Sequence, residues 1–276
     1  VEVLFGGISS LLYGVADFLG GEGAKRVSAA SVVLWAGVIS FPILAITALV
    51  VGGDASTQDF VLGGLAGASG AIGLVSLFSG LGKGRAAAVA PVSAALGATV
   101  PIIAAVIGGE RPSAVAWLGV ALAFPAVMLC AWSGEEGGAR SGGFWYGVVA
   151  GLGFGGFTAI FRWTSPESNL LPLIASRGAT MAVVLLIAGV GYWHVTGPRQ
   201  VPMPLVAASG LFDVTANVTL LIAVRAGSLA LAAVASEFYP AVTVLLARFV
   251  NDEQLRRRQA FGLVLALLAM TAIALG

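Results

Sequence analysis

The sequence predicts an all-α polytopic membrane protein, with ten transmembrane helices in two inverted five-helix repeats. Three observations predict it: the composition, a series of apolar runs of bilayer length, and a match of the second half of the chain to the first. Of 276 residues, 58% are hydrophobic and only 10% charged, and the mean hydropathy is +0.99, whereas soluble domains carry about 25% charged residues. So few charges cannot clothe a soluble domain of this size. That excludes a cytosolic enzyme, a nucleic-acid binder and a secreted disulfide scaffold. The net charge of +1 offers no basic patch to an acidic polymer, and one cysteine, Cys130, allows neither an intramolecular disulfide nor a CxxC metal site.

A bilayer-crossing helix needs about 20 apolar residues. Runs of that length fall at 3–21, 29–51, 60–81, 86–108, 113–133, 143–163, 170–193, 203–224, 229–250 and 259–276, divided by short polar or turn-forming segments. The first run has no basic segment before it and nine spans after it, so it is expected to be a helix and not a cleaved signal peptide. The odd-numbered loops hold nine basic residues (Lys25, Arg26, Lys83, Arg85, Arg140, Arg199, Arg256, Arg257, Arg258) and the even-numbered loops three (Arg111, Arg162, Arg225). By the positive-inside rule the odd loops are cytoplasmic and both termini lie outside.

The shift of 143 that lays Glu110 on Glu253 runs without a gap from Leu81–Ser133 onto Val224–Gly276. It also matches Gly84 to Gly227, Ser93 to Ser236, Ala98 to Ala241, Gly119 to Gly262, Ala123 to Ala266 and, upstream, Gly67 to Gly210 and Leu77 to Leu220. The chain therefore divides into a first repeat at 1–133, a linker at 134–142 and a second repeat at 143–276. Five spans per repeat is an odd number, so the second copy is expected upside down in the membrane. Inverted repeats of this kind place a binding site near the midplane, where the copies meet.

Tyr13-Gly14-Val15-Ala16-Asp17-Phe18 in the first span, Gly109-Glu110 after the fourth and Gly119 nine residues later carry a resemblance to a known family. Over its whole length the chain resembles the drug/metabolite transporter superfamily, in its ten-span bacterial branch with two EamA-type domains. The second copy keeps Glu253 and Gly262 but has Asp252 where the family usually has Gly. The resemblance implies a multi-pass protein of the bacterial cytoplasmic membrane that exports amino acids, other metabolites or drugs, often in exchange for protons, with a few importers. It also implies cytoplasmic termini, which disagrees with the charge count and leaves the orientation open.

Ionisable groups inside a bilayer cost about 2.5–3.5 kcal/mol each at a helix centre, so each is a functional candidate. Asp17, Arg177, Asp213 and Glu237 are of this kind. Under the repeat Asp213 falls on Gly70, Glu237 on Ala94 and Arg177 near Trp35, so the scaffold is symmetric and the charges are not. Ser9, Tyr13 and Asp17 share one helical face, as do Ser209, Asp213 and Asn217, and Thr158 with Arg162; Glu237 has Ser236, Tyr239 and Pro240 beside it. Substrate-binding candidates are Tyr13, Asp17, Trp35, Trp163, Arg177, Asp213, Asn217, Ser236 and Tyr239. A carboxyl group in a dry environment favours its protonated form, which makes Glu237, Asp213 and Asp17 the candidates for proton coupling. Arg177 works the other way, since an acid paired with it stays ionised. Phe18, Phe157 and Phe238 are further aromatic candidates; Trp117, Trp132, Trp145 and Trp193 near span ends are read as interfacial.

Several motifs are set aside. Gly151-Leu-Gly153-Phe-Gly-Gly156 fits GxGxxG but has no strand before it, and the Gly147, Gly151, Gly155 ladder is read as a packing face. Asn217-Val-Thr219 is a glycosylation sequon within a span. His194 is the only histidine, too few for a metal cluster. Glu110 and Glu253 stand beside Arg111 and Arg256 and are read as caps or ion pairs. The expectation is a secondary transporter exporting small organic solutes by alternating access, with neither cofactor nor metal, no nucleic-acid partner, membrane lipid around it, protons as the coupling ion, and a monomeric or homodimeric state. A multidrug or organic-cation exporter and a metabolite importer are the transport alternatives, and a non-transporting membrane protein is the alternative of another class; no enzyme is expected.

Overall fold

The computed structural model describes residues 2–83, 85–107, 113–131, 142–226, 236, 238–251 and 257–275. They hold ten α-helices: α1 (Glu2–Ala24), α2 (Ala29–Val51), α3 (Thr57–Leu81), α4 (Ala86–Ile107), α5 (Ala114–Ala131), α6 (Gly142–Phe161), α7 (Leu171–Gly189), α8 (Met203–Ala226), α9 (Tyr239–Asn251) and α10 (Arg257–Leu275). Six of them (α1, α2, α3, α6, α7 and α8) are long and apolar enough to cross a membrane. Ser28 caps α2 by accepting from the Ser31 N–H, and Ser56 opens α3 with a reciprocal capping box to Asp59. The helix α7 stops at Gly189, short of the expected 193, because Gly191 turns the chain with φ +82°. Hydropathy does not register that turn. Glu110, Glu253, Glu237, Gly84, Gly227 and most of the expected linker lie outside the described residues.

The helices pair in a pattern that maps onto itself when the two copies are exchanged. Helix α1 packs on α8 as α6 packs on α3; α2 packs on α8 as α7 packs on α3; α1 packs on α9 as α6 packs on α4. Two further pairs, α2 with α7 and α5 with α10, are equivalent helices facing each other, the signature of a two-fold relation. Helices α2 and α7 run antiparallel. At the start of α2, the Ser28 hydroxyl donates to the His194 carbonyl beyond the end of α7; past the end of α2, the Asp54 N–H donates to the Glu167 carbonyl (2.9 Å) just ahead of α7.

Glycines allow the backbones to meet. A Cβ on Gly67 of α3 would stand 2.0 Å from the Ser176 carbonyl oxygen of α7, and one on Gly210 of α8 would stand 2.5 Å from that of Ala36 in α2. These two glycines are the pair matched by the 143-residue shift, so the same close contact is kept in both copies. On α6, Gly147 and Gly151 lie against the Val89 and Ser93 carbonyls of α4, while Gly153 lies on Gly73 of α3. The GxGxxG run is thus a helix surface packed on two sides.

One feature breaks the symmetry. Helix α1 meets α3 at glycines, where a Cβ on Gly20 would reach 2.3 Å from the Phe78 ring and one on Gly21 2.6 Å from Leu81. The equivalent helices α6 and α8 make no more than marginal contact among the described residues. Around the α1–α3 contact lies the main apolar cluster, with Val32, Val33, Leu77, Phe78, Val89 and Val206 buried. These residues fill the end of the bundle where α1 and α3 finish and where α2, α4, α6 and α8 begin.

Replacing Gly67 or Gly210 by alanine pushes a methyl group into a carbonyl that has no room to move, an overpacking that costs about 1–3 kcal/mol. Gly64 on the same helix has nothing within 4 Å of its Cβ position. The expected result is a lowered unfolding temperature for Gly67→Ala and Gly210→Ala, and none for Gly64→Ala, measured on purified protein in detergent.

Candidate functional site

Opposite the apolar plug, the halves enclose a cleft of about 990 Å³, part of it open to the outside. Helix positions place it from the bundle centre toward the other end. Leu44, Pro101 and Leu220 lie in the later parts of α2, α4 and α8, and Leu173 at the start of α7, away from the plug, where Leu44 and Leu173 belong to a second buried apolar cluster; Asp17 and Leu74 lie nearer the plug.

The charged centre of the cleft is an ion pair. Arg177 of α7 donates from Nη2 to Oδ2 of Asp213 on α8, and both side chains are largely withdrawn from solvent, at 9% and 15% exposure. The glycine contact at Gly67 sets the height of α7, and Gly37 of α2 gives the Arg177 stem a place to lie, its Cβ position being 3.7 Å from Arg177 Cδ. Asn217, one turn beyond Asp213, donates from Nδ2 to the Asp213 backbone carbonyl (2.7 Å), and Thr180, one turn beyond Ser176, donates to the Gly67 carbonyl (3.0 Å) and to that of Ser176 (3.0 Å). Asp17 is buried on α1. Tyr239 opens α9 with its hydroxyl 3.2 Å from Ser93 Oγ, and Thr243 below it donates to the Gly14 carbonyl (3.2 Å), tying α9 to α1.

The opposite wall is apolar. Phe157 and Phe154 of α6 lie over Gly70 and Gly73 of α3, where a Cβ would come within 3.1 Å and 3.0 Å of the rings. Phe157 also stacks on Phe161, ring centroids 4.8 Å apart. A cleft with this lining offers a solute one charged, hydrogen-bonding side and one aromatic side.

Of the substrate-binding residues expected from sequence, Tyr13, Asp17, Arg177, Asp213, Asn217, Ser236 and Tyr239 line the cleft. Trp35 and Trp163 do not. Trp35 packs against the plug and donates from Nε1 to the Thr196 carbonyl (2.9 Å), while Trp163 follows the end of α6 and is 58% exposed. Both were selected for residue type, and the helical register turns them elsewhere. Among the proton-coupling candidates, Asp213 is held by Arg177, Asp17 lines the cleft, and Glu237 lies outside the described residues. Sequence reasoning missed Ser176 and Thr180, although their i, i+4 spacing around Arg177 was a legible signal of a polar face.

The family model for the EamA-like transporter family matches residues 1–132 and again 141–275. The chain belongs to the EamA-like transporter family. It is therefore a multi-pass membrane protein of a family that moves small solutes. No curated protein matches the sequence. A solved structure described only as "Crystal structure of protein" superposes over 98% of this chain and 95% of its own, with a TM-score of 0.63 at 16% identity. At that identity the likeness shows a shared fold.

Removing one member of a buried ion pair leaves the other charge uncompensated, at a cost of about 3 kcal/mol or more. The expected result in a double-mutant cycle on unfolding temperature is that Arg177→Gln and Asp213→Asn each destabilise the protein, and that the double variant recovers part of the loss. Strict additivity of the two single losses would show that the pair is not coupled.

Proposed function

We propose that this protein is a secondary transporter, not an enzyme, that carries a small organic solute across the bacterial cytoplasmic membrane by alternating access through ten spans in two inverted repeats. Export is the favoured direction. The observation that carries the reading is the buried Arg177–Asp213 pair together with the aromatic residues Phe154 and Phe157, in one cleft lined from both copies. Helices α4, α5 and α10, at 22, 18 and 19 residues, have lengths that suit crossing a bilayer. The antiparallel run of α2 and α7 supports inversion, because equivalent helices of copies in the same orientation would run parallel.

The broken symmetry supports alternation. In an inverted pair the α1–α3 contact and its α6–α8 equivalent lie at opposite ends, and here the first is made while the second is marginal. Exchanging the two arrangements would loosen the plugged end and tighten the other, turning the same residues to the other side without moving the site. The plugged end is also the end carrying the basic loops (Lys25, Lys83, Arg199, Arg257). By the positive-inside rule that end is cytoplasmic and the cleft faces outward.

Asp213 is held by Arg177 in the ion pair, so within this reading it belongs to solute binding and proton coupling falls to Asp17 and Glu237. An amino acid or related zwitterion suits the centre, since its two charges need one partner of each sign. One chain encloses the cleft, which makes a monomer sufficient. In proteoliposomes with an imposed pH gradient and a panel of labelled amino acids and organic cations, wild type should accumulate one class. Asp17→Asn or Glu237→Gln should retain solute exchange but lose gradient-driven accumulation, and Asp213→Asn should lose both. Absence of transport by folded wild type across the panel would count against the reading.

The orientation has its own check. In a Cys130→Ser background, a cysteine replacing the exposed Glu167, just ahead of α7 at the end away from the plug, should react with a membrane-impermeant maleimide from outside intact cells. Labelling only in inside-out vesicles would reverse the assignment and place the termini in the cytoplasm.

A further inference from the structure

Two consecutive turns of the repeat face the cleft in both copies, and their chemistry has diverged. The 143-residue shift lays Asp213 and Asn217 of α8 on Gly70 and Leu74 of α3. All four line the cleft. In the second copy these positions carry the carboxylate and the amide; in the first they carry a hydrogen atom and an isobutyl group. The fold is two-fold symmetric at this level, and the binding surface is polar on one side of the axis and apolar on the other.

The missing side chain at Gly70 has a visible use. Phe157 occupies the space that a side chain at Gly70 would take, its Cδ2 only 3.1 Å from the Cβ position and its Cε2 and Cγ 3.8 Å away. The ring also packs, tilted, on Phe161 one turn along α6. A methyl group at Gly70 would have to move Phe157, and since both residues line the cleft the displacement changes the shape of its wall.

We infer that Gly70 and Phe157 set how large an apolar body the cleft accepts, while Arg177 and Asp213 hold the ionic end of the solute. The inference rests on the reading of the cleft as a solute-binding site and adds the residues that select among solutes. Enlarging Gly70 contracts the apolar side and trimming Phe157 expands it. Neither change touches the ionic side, so head-group preference stays as in wild type. A pocket of this kind discriminates by about tenfold or more for each methylene it excludes or admits.

The test is ligand-induced thermal stabilisation of purified protein in lipid nanodiscs. The probes are three series of amphipathic compounds with an ammonium, a carboxylate or an α-amino acid head, and bodies growing from ethyl to hexyl and phenethyl. Wild type should be stabilised by one head class, increasingly with body size up to a cut-off. Gly70→Ala should shorten the cut-off, with apparent affinity for the largest accepted body falling about tenfold or more. Phe157→Leu should lengthen it, and Phe157→Met takes its place if the leucine variant is not monodisperse. If probes bind and the cut-off stays where it is in both kinds of variant, this inference fails and the transporter reading stands. If no probe stabilises folded wild type, the cleft does not bind amphipathic solutes, and the inference falls with the reading beneath it.

Discussion

The architecture depends on backbone contact between helices in a medium that gives apolar side chains no reason to cluster. Lipid tails are as apolar as leucine, so helix association in a membrane rests on close van der Waals packing and on hydrogen bonds between helices. At Gly67 and Gly210 the approach is close enough that a single methyl group would collide with a carbonyl oxygen of the neighbouring helix. Hydroxyl groups bridge helices as well. Thr180 donates to the Gly67 carbonyl across the α3–α7 crossing, and between α1 and α8 Ser209 donates to the carbonyl of Ala16 (2.8 Å) and Ser9 to that of Ala216 (2.9 Å). With α3 fixed on α7, and α8 fixed on both α1 and α2, the remaining freedom of α7 against α8 is small. Arg177 and Asp213 then have nowhere else to go but toward each other.

That ion pair has a cost that its position explains. Two charges taken from water recover their desolvation only with good geometry and with their remaining hydrogen-bonding groups satisfied, and a well-packed apolar pair of similar volume would often be as stable. The pair borders the cleft, and a solute carrying both signs, as proposed above, would offer each member of the pair a counter-charge. Eight of the described helices contribute to the lining, which carries polar groups from α7 and α8 and aromatic rings from α6.

Much of this was legible in the sequence because membranes impose few rules and strict ones. Span positions followed from run length, and α2 begins and ends at the expected residues. Asp17, Arg177, Asp213 and Asn217 were found because a charge or amide at mid-span needs a reason. Helical spacing then brought Tyr13 and Asp17 onto one face and Asp213 and Asn217 onto another. Trp35 and Trp163 were misplaced because an aromatic ring is equally at home in a cleft, in a core and at the lipid boundary, and composition does not tell these apart. The pairing of Arg177 with Asp213 was equally illegible. It depends on which helices touch, and that information lies in glycine positions whose partners are far away in sequence.

The repeat also shows why symmetry and function occupy different residues. Gly67 and Gly210 agree between the copies because each must let a backbone through, a demand made twice by the same fold. Gly119 and Gly262 also agree, both buried on α5 and α10, two equivalent helices that face each other. At Gly70 and Asp213 no such demand exists, since each side chain meets the cleft and not a neighbouring backbone. A symmetric cleft would have to be charged on both walls or apolar on both. The first would set unpaired carboxylates facing one another in a dry space, and the second would leave Arg177 without its partner. Divergence at these two turns removes both difficulties at once, leaving one carboxylate for one guanidinium on α8 and α7, and room on α3 for the Phe157 ring.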